Sequence, residues 1–238
     1  MQTLVAAMRA QRDRHAAAQD FYRTLSAGQS PGVVVICCSD SRAAPEHIAR
    51  ADPGALFVER SVAGLVPPPP GAVERAWLRA YGAVTRTFGM RQLAGAWYGA
   101  WAAIEYPVMH LQVANILVLG HSGCGGIALA CRPRGEQAAL HDTDCWVDMV
   151  RPALRPVLRQ HADGHGARAA EETAILWSRA NLLRHTGIAN RVRDGLTTVH
   201  AAHYDIASGE VAFYDAARGS FAALSGEGTP GARVAAGG

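Results

Sequence analysis

Two stretches of the chain are continuously apolar: Val-Val-Val-Ile-Cys at 33–37 and Ile-Leu-Val-Leu-Gly at 116–120. Runs of that length and composition predict strands buried on both faces of a parallel sheet. Ala-Leu-Phe-Val at 55–58 predicts a second short strand, and 196–204 a last one. Between them the apolar spacing is helical, around 97–112 and again over 171–183. The closing Asp-Ile-Ala-Ser-Gly-Glu-Val-Ala-Phe-Tyr-Asp reads as a hairpin turning at Ser208-Gly209. Strands alternating with helices imply βαβ crossovers, hence a single α/β domain with a mostly parallel central sheet flanked by helices.

The ends and one interior stretch depart from this rhythm. Residues 1–28 read as a helical arm with Leu4, Val5, Met8, Phe21, Tyr22 and Leu25 on one face and Gly28 as its stop. Such an arm packs on its own sheet or reaches to a partner subunit. Val-Pro-Pro-Pro-Pro-Gly at 66–71 is stiff and extended. Behind it 73–94 predicts an extra amphipathic helix with Trp77, Leu78, Tyr81 and Val84, making 67–95 an insertion. The Gly- and Ala-rich tail, 226–238, is expected to fray.

Composition narrows the class. With 49% hydrophobic and 18% charged residues in 238, the chain can bury a sizeable core. No run approaches the ~18 apolar residues of a membrane span. The N-terminus becomes charged at Arg9 before a signal-peptide core could form, so a cytoplasmic location is expected. The net charge is +3, and all 23 basic residues are Arg, scattered along the chain. A nucleic-acid binder would concentrate them in one stripe, so none is expected as a partner. Five Cys in such a chain argue against a disulfide framework and raise the question of which are ligands.

Both strong strands end in a reactive cluster. The first runs into Cys38-Ser39-Asp40-Ser41-Arg42, the second into His121-Ser122-Gly123-Cys124-Gly125-Gly126. Active sites of open parallel sheets gather at the carboxyl ends of strands. If the two strands are neighbours, Cys38, His121 and Cys124 converge, and two thiolates with one imidazole make a soft tetrahedral set with an open fourth position, as in a catalytic zinc site. A lone His-x-x-Cys is common by chance, and a strand-end Cys is usually a core residue. The coincidence of two clusters, each directly after a buried strand, sets this case apart.

The pair Cys-Ser-Asp-Ser-Arg and His-Ser-Gly-Cys-Gly-Gly resembles the β-class carbonic anhydrases, and the likeness extends through 28–42, 52–68, 102–127 and 171–209. The resemblance implies a zinc lyase for the reversible hydration of CO2 to bicarbonate, with hydroxide on one Zn²⁺ per chain attacking CO2. It assigns Cys38, His121 and Cys124 as metal ligands and Asp40 with Arg42 as the catalytic pair. Gln29, Phe57, Val62, Tyr106 and Gly125 fall at substrate-binding positions, some completed across a subunit interface, so at least a homodimer is implied. Gln29, and Val35 where the allosteric subtype has Trp, resemble the plant-type branch.

Two departures stand out. The family reads Arg-Asn-x-Ala-Asn or Arg-Asn-Ala-Gly-Asn where this chain has Arg60-Ser61-Val62-Ala63-Gly64, and the segment from Arg60 to Tyr106 is roughly twenty residues longer than expected. Hydrolysis of a sulfur analogue of CO2, or a zinc-holding scaffold with decayed catalysis, are the competing readings. Cys37, whose side chain points opposite to that of Cys38, reads as core. Cys131 and Cys145 carry no assigned role, and His47, His110, His200 and His203 read as packed or surface residues.

Overall fold

The protein was analysed as a computed structural model, which describes residues 1–69, 98–133, 140–161, 166–224 and 234. The expected helix at 73–94, most of the 67–95 insertion and the tail apart from Val234 lie outside these residues.

Strand β1 (Val33–Cys38) is buried at every position after Val33. A strand like that needs a neighbour on each edge and cover on each face. β2 (Leu56–Ser61) pairs with one edge and β3 (Asn115–His121) with the other, both parallel. β4 (Thr198–Tyr204) extends the parallel run, and β5 (Val211–Asp215) and β6 (Ser220–Ala223) close it antiparallel, giving the order β2-β1-β3-β4-β5-β6. The chain leaves β1 to one side for β2 and returns to the other for β3. That reversal opens a crevice at the carboxyl ends of β1 and β3.

The helices are α1 (Gln2–Ala17), α2 (Gln19–Ser26), α3 (Pro45–Ile48), α4 (Tyr98–Glu105) running into a π turn (Tyr106–His110), α5 (Gly125–Ala130), α6 (His141–Val147), α7 (Arg151–Gln160), α8 (Ala167–Arg184) and α9 (Thr186–Arg193). On one sheet face Val34, Ile36, Ile116 and Val118 meet Ile104 and Val108, Ile175 and Leu182 of α8, and Ile188 of α9. Each such side chain contributes roughly 1.5–3 kcal/mol by leaving water. The other face is thinner: Val35, Cys37, Leu119 and Ala202 are buried, while Val33, Leu56, Val58, Leu117 and Phe213 around them are only partly covered. A third cluster sits past the strand ends, where α5, α7 and α8 bring Ile127, Leu154 and Ala174 against Cys38 and Cys124.

Among the described residues the expected strands and helices are present, and several run longer than their apolar runs. β2 continues to Ser61 and α8 starts at Ala167. The N-terminal arm is two helices, broken at Ala18, and neither buries a residue. Five helices, α3, α5, α6, α7 and α9, and strand β6 were not foreseen.

Candidate metal centre

β1 and β3 are adjacent and in register, Cys37 opposite Leu119, so their ends release Cys38 and His121 side by side. A tight turn through Gly123, at φ +66°, returns Cys124 to the same point. The ligand atoms of Cys38, His121 and Cys124 lie within 4.8 Å of one another, and all three residues are buried. The two Sγ atoms are 4.0 Å apart. Zinc–sulfur bonds of about 2.3 Å at a tetrahedral angle require about 3.8 Å. His121 Nδ1 lies 3.0 Å from the Ser122 carbonyl, which fixes the proton on Nδ1 and leaves the lone pair on Nε2. Nε2 is buried without a protein partner. A buried lone pair beside two thiols is a donor set that zinc completes.

The backbone around the sulfurs favours thiolate. Cys38 Sγ receives the N–H of Asp40 at 3.4 Å, and the nearby backbone N–H groups of Ala63 for Cys38 and of Gly126 and Ile127 for Cys124 favour negative charge on sulfur. The two sulfurs share one proton between them, so ionisation of one thiol is favoured, with Cys38 lowered, and that of its neighbour Cys124 is raised. The buried Cys37, facing the other way, is raised to about 12 by desolvation and stays an inert core thiol.

The Val62–Gly64 turn supplies one wall. Ala63 adopts φ +63°, a left-handed conformation costing about 1–3 kcal/mol outside glycine. Gly64, at φ +60°, presses against β1 so closely that a Cβ would lie 2.8 Å from the Cys37 carbonyl carbon. The residue that replaces the family's Asn is thus the one this packing admits. The turn is held by other groups: Trp146 Nε1 donates to the Val62 carbonyl at 2.7 Å, and Ser178 and Asn181 of α8 grip both ends of Val66.

Asp40 is clamped. Its Oδ1 accepts from the Arg42 backbone N–H and Nε at 2.9 and 3.0 Å, and its Oδ2 from Arg42 Nη2 at 2.7 Å. The guanidinium holds this carboxyl well below the usual carboxylate range. Oδ2 also lies 3.9 Å from His121 Nε2, beside the ligand centre. Arg60 braces the same segment by donating to the carbonyls of Cys38 and Asp40 at 3.0 and 2.7 Å.

Of the expected substrate positions, Val62 and Gly125 line one cavity of about 360 Å³ with Gly126, Leu129 and Leu140. Phe57 and Tyr106 pack against each other, ring centres 6.1 Å apart, with Tyr106 half exposed; neither lines that cavity among the described residues. Gln29 is exposed on the link between α2 and β1. Sequence reading missed the role of Arg60 and a buried pair behind the turn. There His203 Nε2 bonds Glu171 Oε2 at 2.9 Å, and Glu171 Oε1 accepts the Cys124 N–H at 3.2 Å. Partners from a helix and a distant strand leave no local pattern.

Two cysteines and a histidine at the carboxyl ends of neighbouring parallel strands, with a clamped carboxylate beside them, define a zinc-site α/β enzyme. The comparisons with known proteins narrow the class. A family model described as carbonic anhydrase matches residues 33–211, and the chain belongs to that family. A carbonic anhydrase of Synechocystis sp. is 30% identical over 208 residues, which are 86% of this chain and 67% of that one. The solved structure of the β-carbonic anhydrase CcaA is 28% identical, with a TM-score of 0.78 over 94% of this chain and 99% of its own. Tetrameric β-carbonic anhydrases of the ascomycete Sordaria macrospora share the fold at 24% identity, with a TM-score of 0.67 over 90% and 97% of the two chains. The protein is therefore a carbonic anhydrase of the β class, a lyase for the zinc-dependent reversible hydration of CO2.

Proposed function

We propose that Cys38, His121 and Cys124 hold one zinc per chain and that Asp40, positioned by Arg42, orients the reacting water, in the manner of the plant-type branch. The observation that carries this is the unpartnered Nε2 of His121 set between two thiol sulfurs and Asp40 Oδ2. Zinc, when bound, supplies the Lewis acidity that makes water nucleophilic near neutral pH. The chain's own part follows from its geometry. Asp40 Oδ2 accepts a hydrogen bond from water in the site. Because Arg42 keeps this carboxylate so weakly basic, Asp40 orients the water without retaining its proton, which leaves to buffer. Val62 and Gly125 wall the CO2 position, while Gln29, Phe57 and Tyr106 complete it at a subunit interface, with the Gln29 amide donating to a substrate oxygen. Gln29 and Val35 support the plant-type reading.

The same proposal makes the protein a homo-oligomer of one-domain chains, each with its arm at 1–28, insertion at 67–95 and tail at 226–238. Leu4, Val5, Met8 and Phe21 of the arm are exposed, and the thin sheet face is only half covered, so both have apolar surface to bury. The similar Sordaria macrospora enzymes are tetramers. It also sets the enzyme in the cytoplasm, where the thiols of Cys38 and Cys124 stay reduced. Among the described residues no helix is long and apolar enough to cross a membrane.

Metal analysis with stopped-flow CO2 hydration tests the site. About one zinc per chain is expected in the native protein, with metal and turnover both lost in His121→Ala and Cys124→Ala. Full zinc occupancy in Cys124→Ala overturns the ligand assignment.

A further inference from the structure

A line of hydrogen bonds crosses the metal turn and reaches Asp40. His203 of β4 and Glu171 of α8 are 1% and 5% exposed. A carboxylate only accepts, so His203 presents Nε2–H to Glu171 Oε2; its Nδ1 is buried without a partner. Glu171 Oε1 takes the backbone N–H of Cys124. The carbonyl of that same peptide belongs to Gly123, and it accepts from Arg42 Nη2 at 3.3 Å, the nitrogen that also donates to Asp40 Oδ2. On the side of His121 and Ile175 the space beside Glu171 and Cys124 is only about 10 Å³, while on the other side both residues, with Gly123, border a cavity of about 430 Å³.

We infer that the buried Glu171–His203 pair positions the Asp40–Arg42 pair, acting through the single peptide between Gly123 and Cys124. A peptide is planar, so fixing its N–H fixes its carbonyl. A carboxylate on the N–H also polarises the carbonyl and strengthens its bond to Arg42. Gly123 leaves this peptide free to rotate once Glu171 lets go, because glycine tolerates both signs of φ. Arg42 then loses its anchor on the metal turn, and Asp40 its fixed direction toward the ligand centre. The inference rests on the role given above to Asp40 and Arg42.

The test uses full-length protein loaded with zinc for kinetics and with cobalt for its visible spectrum. The variants are Glu171→Gln, His203→Leu, His203→Gln, Arg42→Ala and the double variant Arg42→Ala/Glu171→Gln. Glu171→Gln and His203→Leu are expected to keep their metal, to lower kcat by about 10–100-fold with little change in KM, and to shift the cobalt bands in the same sense as Arg42→Ala. His203→Gln, whose amide still donates to Oε2, restores most of the activity. In the Arg42→Ala background Glu171→Gln costs nothing further. Independent, multiplying effects in the double variant overturn the inference, as do metal loss that accounts for the whole defect or a His203→Gln no better than His203→Leu. If Glu171→Gln does not fold, the two His203 variants decide by the same criteria. Wild-type turnover in Arg42→Ala alone removes the role of the Asp40–Arg42 pair and this inference with it, whereas additivity on an impaired Arg42→Ala removes the inference alone.

Discussion

Glu59 shows how far a single residue departs from what its position in the chain suggests. It lies on β2 opposite Ile36, only 7% exposed, with Oε2 buried and unpartnered. Desolvation raises its carboxyl from 4.5 to about 7. The unfolded chain ionises Glu59 near 4.5, while the folded chain keeps the proton until about 7. In that window the folded state binds more protons, so stability falls as pH rises and levels off above it. The whole span amounts to about 3 kcal/mol. Glu59→Gln cannot ionise and escapes this loss. Urea unfolding at several pH values is therefore expected to give variant and native protein similar stability at pH 4.5 and to favour the variant by about 3 kcal/mol at pH 8. A difference independent of pH would show that the carboxyl is ionised and paired in the folded protein.

At the scale of elements, legibility followed the origin of burial. β1 and β3 are buried because they are apolar, so their runs and the chemistry at their ends could be read directly. α6 is buried for another reason. Its Asp144 is covered because Arg151 pairs with it and also donates to the carbonyl oxygens of Ala130 and Arg132, which ties α6 and α7 to the end of α5. An apolar pattern does not register a polar residue buried by its ion pair. α7 was masked by its prolines, yet Pro152 occupies the first turn, where no N–H is needed, and the helix accommodates Pro156. Glu171 and His203 are separated by 32 positions and meet only once α8 lies on β4. The arm is the opposite case: its apolar face was legible, and it buries nothing in its own chain. Deleting residues 1–26 is accordingly expected to leave the circular dichroism of the remaining fold intact while lowering the assembly state in light scattering, and turnover with it. An unchanged assembly with full activity would show that the arm has no part in either.

In the molecule as a whole, the candidate ligands tie the ends of two core strands to the first turn of α5, so metal binding and folding are linked. The metal site forms only in the folded chain, and a cation that binds it stabilises the fold by mass action. Free zinc at about a thousand times its dissociation constant contributes about 4 kcal/mol. In a chain of this length each kcal/mol moves the melting temperature by about 2–4 °C, which sums to a shift of about 8–16 °C between zinc-loaded and chelated protein. The chelated chain should still melt cooperatively. Neither sheet-face cluster contains a ligand; Cys38 and Cys124 belong to the separate cluster past the strand ends. This sets the protein apart from small zinc domains, whose only core is their metal. His121→Ala and Cys124→Ala should melt near the chelated temperature with or without zinc. Arg42→Ala should keep the zinc-dependent shift, because its guanidinium contacts Asp40 and a backbone carbonyl and none of the three ligand side chains. Scanning calorimetry with and without chelator, at known metal content, checks all four proteins. A native melt that does not move when verified zinc is stripped away would place the metal outside the Cys38–His121–Cys124 site, because an ion joining the carboxyl ends of β1 and β3 cannot leave without cost to the sheet that holds them.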